Sequence, residues 1–297
     1  MNRPRVSVII PVYNGAADVQ AAISSALQQQ NCDVEVLAVN DGSHDNTPEI
    51  LDSCARQYGD RLRVVHQSNQ GLPRTRNNAV RVSHGEWIAF LDHDDEWLPE
   101  KLERQLAAAD ATGADLVYTN ARNFGSIERV DELRYAPGKM PHGDVFQSLL
   151  MDNFLVVSSV MVRRSAFDRA GGFNEAQLMV EDWDLWLRLA ASGCRFAAVS
   201  EALTRYRWRA DSLSKNHDRM RGFREQVVRR ALQTERGLAL PWIVRRRALA
   251  SVQRCSAWFL ASRSPRRAIR WYAQSICYWP FDTSAWKGIV KGCLGRS

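Results

Sequence analysis

The sequence of 297 residues has no run of about 20 apolar residues, the length that a helix needs to cross a bilayer. Its first residues, Met-Asn-Arg-Pro-Arg, lead straight into a strand-like segment, without the apolar stretch of a secretory signal. We therefore expect neither a spanning helix nor a signal peptide. The apolar and charged fractions, 45% and 25%, are typical of a globular protein with a packed core.

Cysteine motifs are also missing. The six cysteines form no Cys-x-x-Cys pair and are not accompanied by histidines at the spacing of a zinc site. They are Cys32, Cys54, Cys194, Cys255, Cys277 and Cys293. This pattern excludes a structural zinc site and a disulfide scaffold, and it predicts reduced thiols in a cytosolic protein.

The net charge of +7 is unevenly distributed along the chain. Residues 217–297 hold 17 Lys and Arg against 4 Asp and Glu, a net charge of +13, whereas residues 1–216 hold 23 basic and 29 acidic residues, a net charge of −6. An acidic body suits an enzyme core, and a basic tail favours an anionic partner such as phospholipid or nucleic acid. We predict a catalytic domain at 1–216 and a basic, Trp-rich helical appendage at 217–297.

Strand-like and helix-like segments alternate through the first third of the chain. The β-branched run Val6–Val12 is typical of a central strand buried on both faces of a parallel sheet, and apolar residues recur at helical spacing in 16–30. Further strands are predicted at Val34–Asn40, Arg63–Val65 and Trp87–Leu91, with helices near 46–58 and 73–84. This alternation predicts an α/β sheet covered by helices.

The pattern is looser after residue 115. It predicts a strand at Asp115–Tyr118, a long loop or lid from there to about Gly143, and a strand at Val156–Val162. A helix from Glu181 to Ser192 is predicted to end at Gly193, a glycine C-cap. From about Arg219 onward we expect Arg-rich helices, with breaks at Gly237, Pro241, Pro265 and Pro280.

Three of the predicted strands end in polar residues, and ligands of such sheets bind at the carboxyl ends of strands. The segment Asp92–Asp95 offers hard oxygen ligands for a divalent cation, with open positions for phosphate oxygens; a solvated acidic turn is the alternative. Asp41 can accept hydrogen bonds from a base or a ribose, or serve only as a turn residue. Tyr13 can stack on a base, or be an ordinary aromatic at the rim of the sheet.

Five segments in order resemble the signature blocks of the family 2 glycosyltransferases with the GT-A fold, over about residues 5–216. The segments are Val8–Asn14, Val39–Ser43, Asn69–Gly71 with Arg76-Asn77, Leu91–Asp95 and Glu181–Trp186. The resemblance implies an α/β fold, a GT-A-type nucleotide-binding mixed sheet flanked by helices, here with a basic C-terminal helical appendage. It also implies inverting transfer of a sugar from a nucleoside-diphosphate sugar, with UDP favoured, to a hydroxyl of a saccharide or lipid-linked saccharide, as in cell-surface polysaccharide synthesis.

The resemblance assigns five residues to the nucleotide. Tyr13 would pack on the base, beside Pro11 and Asn14. Asp41 would bond the base, and Arg76 would lie beside the nucleotide.

The resemblance also implies a divalent cation, Mg²⁺ or Mn²⁺, that bridges the diphosphate and stabilises its departure. Asp94 is the expected ligand, and Asp92 is placed at the ribose or the metal. His93 is grouped with the donor-sugar contacts, and a role as metal ligand is the alternative.

Asp182, at a helix start, is by resemblance the base that takes the proton of the acceptor hydroxyl, although an acid there can merely complement the helix dipole. Glu181 and Trp183 are placed on the acceptor or diphosphate side. Arg207 and Arg209 stand where the family has an Arg-x-His block that is expected to hold the diphosphate. Arginine pairs well with phosphate but cannot replace an imidazole.

The basic tail has two interpretations. Aromatic residues alternate with arginine clusters through residues 219–297, and such helices can lie in the interface of an anionic membrane. The protein would then be peripheral on the inner face of the plasma membrane, near a lipid-linked acceptor. The alternative is a packed helical hairpin with core aromatics and solvated arginines. Both interpretations place the protein in the cytoplasm, and no nucleic acid partner is expected.

Two other functions fit the sequence less well. A nucleotidyltransferase on a similar sheet needs a Gly-rich phosphate loop after the first strand, which Pro11–Gly15 does not supply. A non-catalytic nucleic-acid-binding module would need a helix-turn-helix or RNA-binding signature, and the sequence has neither. We expect acceptor choice to depend on residues 119–155.

Overall fold

The computed structural model describes residues 4–125, 130–136, 138–208, 217–261 and 264–293. The chain forms two compact units. The first unit comprises Met1–Val145, Leu155–Leu178 and Ser192–Ala210, and the second comprises Phe146–Phe154, Met179–Ala191 and Asp211–Ser297. Two short segments from the body of the chain therefore belong with the C-terminal helices, while the division into functional domains at residue 216 stays a prediction.

The first unit contains one mixed sheet. Its strands within the described ranges are β1 (Val6–Val12), β2 (Val34–Asp41), β3 (Leu62–Gln67), β4 (Trp87–Phe90), β5 (Glu96–Trp97), β6 (Leu116–Phe124), β7 (Val160–Arg163) and β8 (Phe196–Arg207), in the spatial order β3-β2-β1-β4-β7-β6-β8-β5. Strand β1 is parallel to both β2 and β4, and β2 is parallel to β3. Strand β7 is antiparallel to both β4 and β6, and β5 is antiparallel to β8. The predicted mixed α/β sheet is confirmed.

Helices flank this sheet and form the second unit. In chain order they are α1 (Val19–Leu27), α2 (Thr47–Tyr58), α3 (Leu72–Arg81), α4 (Lys101–Thr112), α5 (Phe146–Met151), α6 (Arg164–Arg169), α7 (Glu181–Ala191), α8 (His217–Ala231), α9 (Glu235–Leu238), α10 (Trp242–Leu260), α11 (Pro265–Tyr278) and α12 (Thr283–Cys293). Every residue of β1 is buried, as expected of a central strand covered on both faces. Helix α1 covers it with Val19, Ala22, Ile23 and Ala26, which share one face of the helix.

The loop predicted after residue 118 begins later than the sequence suggests. Residues 119–124 continue β6, so the predicted loop is wrong for this stretch. The cause is tertiary: β6 pairs with β8 along its whole length, and Thr119 Oγ1 lies 2.9 Å from Thr204 Oγ1 on that strand. A polar stretch with partners on the neighbouring strand can stay extended although its hydrophobic pattern is weak.

The second unit is held together by a small core and a buried carboxylate. Ala257, Leu260, Ala268, Trp271, Tyr272 and Ala285 form the apolar cluster of α10, α11 and α12. Asp282, 5% exposed, accepts hydrogen bonds from Arg254 Nη1 at 2.8 Å, Ser275 Oγ at 2.9 Å and the Ala285 amide at 3.1 Å. One side chain thus joins all three helices. No helix in the described ranges combines the length and the apolar composition needed to cross a membrane.

Glu35 on β2 fastens the chain segment that enters β4. Its carboxylate accepts hydrogen bonds from the Ser7 hydroxyl, the His84 amide and the Gly85 amide, and the Gly85 amide also donates to Ser7 Oγ at 2.7 Å. Burial by itself would raise the pKa of Glu35, but the bonds from Ser7 and His84 outweigh it, so the pKa lies below its ordinary value of 4.5. The ionised carboxylate is therefore the form that stabilises the folded state.

We predict that Glu35→Gln lowers the free energy of unfolding by about 1 to 3 kcal/mol at pH 7, where the wild-type carboxylate is charged. This contribution is complete above pH 4.5 and is lost as the pH falls through the lower pKa of the folded state. Thermal unfolding should therefore separate wild type and variant at pH 7 but much less at pH 3. Glu86→Gln, which removes an exposed ion pair to Arg163, is the control and should cost little. An equal difference at both pH values would contradict the prediction.

Candidate functional site

The loops that follow β1 and β2 are tied together at the carboxyl end of the sheet. The Asn14 amide donates to Ser43 Oγ at 2.9 Å, and Asn14 Oδ1 accepts from the His44 amide at 2.9 Å. The Gly15 amide donates to Thr47 Oγ1 at 2.9 Å. Asn14 has a φ of 51°, a left-handed conformation that asparagine tolerates better than most residues. Hydrogen bonds thus join the two loops into one rim of the sheet.

Tyr13 projects from this rim. Its side chain is 43% exposed and meets His44 edge to face, with ring centroids 6.3 Å apart. Pro11, two residues earlier, is buried inside β1. The tyrosine ring is accessible to a planar ligand, as a stacking role requires.

Asp41, at the end of β2, is 4% exposed and organises the turn that leads to α3. Its Oδ1 accepts from Gln67 Nε2 and the Gln70 amide, both at 2.8 Å, and its Oδ2 accepts from the Gly71 amide at 2.9 Å. A carboxylate has roughly four acceptor positions, so three protein bonds leave room for one more. Its expected bond to a base stays a prediction.

Arg76 and Asp92 form an ion pair beneath the rim. Arg76 on α3 is 1% exposed, its Nη2 lies 2.7 Å from Asp92 Oδ1, and its guanidinium lies 5.2 Å from the ring centroid of Phe173. The Asp92 side chain is 29% exposed. A buried arginine therefore fixes a carboxylate that still reaches solvent.

The turn after β4 has one acidic side chain that is buried and two that are partly exposed. Asp95 is 1% exposed and accepts from Ser158 Oγ at 2.5 Å and from the Arg207 amide at 2.7 Å, while Ser158 Oγ accepts from the Asp92 amide at 3.0 Å. Asp92 and Asp94 are both partly exposed. Burial, followed by the neighbouring Asp94 and Asp92 carboxylates, raises the pKa of Asp95 well above its ordinary value. Asp95 is thus an internal anchor for the turn.

Arg207 is part of the same anchor. Its Nε donates to the Asp94 carbonyl at 2.8 Å, its Nη2 lies 3.2 Å from Asp18 Oδ1, and its guanidinium lies over the ring of Phe124 at 4.4 Å. This arginine binds the backbone of the acidic turn, and its expected contact with a diphosphate stays a prediction. Arg209 lies outside the described residues.

His93 packs against the rim. A Cβ on Gly15 would lie 2.6 Å from His93 Cδ2, so the two residues are in close contact and the position excludes a side chain. His93 stands between Asp92 and Asp94 in the sequence, and its side chain is half-buried. Both predicted roles of His93, a contact with the donor sugar and a metal ligand, stay predictions.

The donor set at the turn suits a metal that arrives with a phosphate. Among the described residues, no group of three or more His, Cys, Asp or Glu side chains could hold a metal ion alone. Mg²⁺ usually binds one or two carboxylates and completes its shell with water and substrate phosphates. Asp92 and Asp94 fit that pattern, and they do not form an all-protein cage.

The remaining predicted site residues belong to the second unit, at the start of α7. Asn153 Nδ2 donates to Asp182 Oδ2 at 3.0 Å, and the Trp183 amide donates to Asp182 Oδ1 at 2.7 Å. Glu181 is 8% exposed and Trp183 is 3% exposed. Val180, just before the helix, has a φ of 53°, which is rare for a β-branched residue and stores strain at this turn.

Sequence reasoning missed several residues of these networks, among them Asn153, Ser158 and Phe173. Ser158 interrupts the strand-like run Val156–Val162, and a polar residue inside an apolar run is a signal that could have identified it. Asn153 bonds Asp182 across 29 residues of chain and Phe173 bonds Asn77 across 96, so no local pattern indicates them.

Curated relatives of this chain are glycosyltransferases. An uncharacterized glycosyltransferase of Rickettsia felis is 34% identical over 194 residues, which is 63% of this chain and 31% of that protein. A putative teichuronic acid biosynthesis glycosyltransferase of Bacillus subtilis, TuaG, is 29% identical over 72% of this chain and 83% of its own length. The chain matches between 27% and 58% of the length of the Rickettsia relatives.

Solved structures share the fold. TarS 1-349 of S. aureus in complex with UDP-GlcNAc superposes with a TM-score of 0.69 at 16% identity, over 98% of this chain and 92% of that one. The mannosyltransferase PcManGT of Pyrobaculum calidifontis, in complex with GDP-Man and Mn²⁺, has a TM-score of 0.61 at 18% identity, over 100% of this chain and 89% of that one. These likenesses confirm the predicted fold.

The family itself is established by sequence. Residues 7–171, more than half of the chain, match the family described as Glycosyl transferase family 2. The matched region contains the rim of β1 and β2, the Arg76–Asp92 pair and the acidic turn. By this match the chain belongs to glycosyl transferase family 2.

Proposed function

We propose that this glycosyltransferase is an inverting, metal-dependent enzyme that moves a sugar from a nucleoside-diphosphate sugar to a hydroxyl of a saccharide or lipid-linked saccharide. The observation that carries the proposal is the acidic turn at the carboxyl end of the parallel strands. There Asp95 is anchored inward, and Asp92 and Asp94 are left partly exposed. Nucleotide ligands of α/β sheets bind at this edge.

The donor is proposed to be a UDP sugar. Tyr13 offers an accessible ring on which the base can stack. The Asp41 carboxylate accepts three hydrogen bonds from the protein and can accept a fourth from the base. Pro11, Asn14 and Arg76 complete the proposed nucleotide contacts. Support comes from the TarS structure, which holds UDP-GlcNAc, while PcManGT holds GDP-Man. UDP-GlcNAc is therefore the first donor to assay, within a panel of nucleotide sugars.

The leaving diphosphate gains negative charge as its bond to the sugar breaks. A bound Mg²⁺ or Mn²⁺ would neutralise that charge. We propose that Asp94 and Asp92 hold it, with Arg76 fixing Asp92 from below. His93 is proposed to contact the donor sugar, and Arg207 and Arg209 the diphosphate.

The acceptor hydroxyl must lose a proton as it attacks the anomeric carbon. In a single inverting displacement the new carbon–oxygen bond forms as the bond to the diphosphate breaks, and the bonding pair leaves with the diphosphate. We propose that Asp182 takes the proton, because its two oxygens are oriented by Asn153 and by the Trp183 amide. Glu181 and Trp183 are proposed to lie on the acceptor side.

A cell-surface glycan is the proposed product. TuaG carries a name that refers to teichuronic acid biosynthesis, and it matches 72% of this chain. A lipid-linked acceptor would bring the enzyme to the inner face of the plasma membrane, where we propose that the contact with anionic lipid is made within residues 219–297. Residues 119–155 are the proposed determinants of acceptor choice.

Asp94→Ala should reduce the turnover of the donor by about 10²-fold or more, because the developing charge on the diphosphate would lose its metal clamp. The assay measures UDP release from UDP sugars with Mn²⁺, with Mg²⁺ and with EDTA. Asp60→Asn, a change at an exposed acid of the same unit, is the control and should leave activity unaltered. Full activity of Asp94→Ala, or of wild type in EDTA, would refute metal dependence.

Asp182→Asn should lower kcat for transfer by about 10²- to 10⁴-fold, because the amide keeps the shape of the side chain but cannot accept the proton. Binding of the donor, followed by the thermal shift that UDP produces, should be unchanged. NMR of the wild-type product should show an anomeric configuration opposite to that of the donor sugar. Retention of configuration, or near-normal transfer by the variant, would rule out Asp182 as the base of an inverting reaction.

Ser158→Ala should raise the Mn²⁺ concentration for half-maximal activation by about tenfold, since the hydroxyl joins the Asp92 amide to Asp95 and so fixes the turn. The stabilisation of the protein by UDP with Mn²⁺ should shrink in parallel in thermal unfolding. Ser159→Ala is a matched control, because the hydroxyl of this adjacent buried serine donates to the Val156 carbonyl and bonds neither Asp92 nor Asp95. If both variants respond to Mn²⁺ alike, Ser158 has no special role.

A further inference from the structure

Helix α12 uses one face to pack in the second unit. Ala285 is fully buried, a Cβ on Gly288 would lie 2.4 Å from Tyr272 Cζ, and a Cβ on Gly292 would lie 2.9 Å from Ile269 Cγ1. These three positions share one side of the helix because they are three, four and seven residues apart. The Tyr272 and Ile269 side chains of α11 therefore pack directly against the backbone of α12, and the two helices run antiparallel as a hairpin.

The opposite side of α12 exposes large apolar side chains. Trp286 is 50% exposed and Val290 is 55% exposed, four residues apart on the same side, and Phe281 in the preceding turn is 75% exposed. Lys287 and Lys291 are exposed next to them. We call these five residues the outer face of the hairpin. Exposed apolar groups of this size, flanked by cations, are unusual for a surface that contacts only water.

The hairpin carries positive charge without exposed acids. Residues 264–293 contain five Lys and Arg, and their one acidic residue, Asp282, is buried and bonded to Arg254. The contact of Gly292 with Ile269 brings the end of α12 close to the exposed Arg266 and Arg270 near the start of α11. No salt bridge to a described residue involves these two arginines or the two lysines of the outer face.

We propose that the outer face of the hairpin docks on an anionic phospholipid bilayer. Trp and Phe side chains partition into the interfacial region of a bilayer, and lysines extend past apolar neighbours to reach the headgroups. Each cation near an anionic leaflet strengthens binding by roughly fivefold. This proposal rests on the membrane contact proposed above for residues 219–297 and narrows it to one face. It does not depend on the sugar chemistry, so its failure would leave the proposed reaction intact.

A second copy of the chain is a poorer occupant of the same face. A symmetric contact between two copies would place Lys287 and Lys291 near their own equivalents, and like charges across an interface are unfavourable. An anionic surface satisfies both the apolar and the cationic residues at once. The charge therefore favours lipid over self-association.

The test is co-sedimentation of the full chain with vesicles of phosphatidylcholine alone or with about 30% phosphatidylglycerol. Wild type should bind the anionic vesicles at least tenfold more tightly than the neutral ones, and added salt should weaken the binding. Lys287→Glu with Lys291→Glu should lower the partition coefficient on anionic vesicles at least tenfold. Arg104→Glu, at an exposed arginine of the first unit, is the charge control and should change it less than about twofold.

The apolar part of the face has its own pair of variants. Trp286→Ala should lower the partition coefficient by about tenfold, whereas Trp242→Ala, at a tryptophan 65% exposed on α10, should not. Thermal unfolding and donor hydrolysis should be unchanged in all four variants, which separates lost docking from lost folding. The lysine variant keeps the test valid if Trp286→Ala proves unstable.

Three results would overturn the proposal. They are equal binding of wild type to neutral and anionic vesicles, equal binding of wild type and the double lysine variant, and equal losses from Trp286→Ala and Trp242→Ala. A fourth result that would overturn the proposal can come from light scattering of the protein without lipid. A wild-type dimer that Trp286→Ala converts to a monomer would identify the face as a subunit interface.

Discussion

The acidic turn depends on one buried carboxylate. Asp95 is buried, and hydrogen bonds from the Ser158 hydroxyl and the Arg207 amide offset part of the cost of its desolvation. Because Ser158 also holds the Asp92 amide and Arg207 holds the Asp94 carbonyl, the bonds that satisfy Asp95 also fix the positions of the two acids beside it. The backbone of the two proposed metal ligands is therefore held by bonds from the interior of the protein, while their side chains stay partly exposed.

Clustering three carboxylates costs electrostatic free energy, and the fold compensates for it on two sides. Arg76 meets Asp92 from α3, with its guanidinium against Phe173, and Arg207 lies against the turn from the end of β8. Arg207 also pairs with Asp18, so the two arginines do not balance the acids of the turn. An excess of negative charge at the rim of the sheet is what a divalent cation would relieve.

The sequence was sufficient for the parallel half of the fold and for the rim of the site. Apolar runs identified β1 and β2, and the polar residues after them identified the edge where Tyr13 and Asp41 lie. The antiparallel half was harder, because β6 continues through polar residues that are extended only by pairing with β8. The partners of the site residues were out of reach: Asn153 and Ser158 contact Asp182 and Asp95 from distant parts of the chain.

The basic tail shows why net charge alone could not decide between packing and membrane contact. Some of its arginines are structural: Arg254 bonds the buried Asp282, Arg229 bonds Glu225, and Arg246 bonds the Tyr278 carbonyl at the end of α11. Charges used in this way hold helices together and offer little to a partner. The lysines of α12, Lys287 and Lys291, have no such ion pair with a described residue and lie beside exposed apolar side chains. Both interpretations of the tail are therefore compatible, because they concern different residues of the same segment.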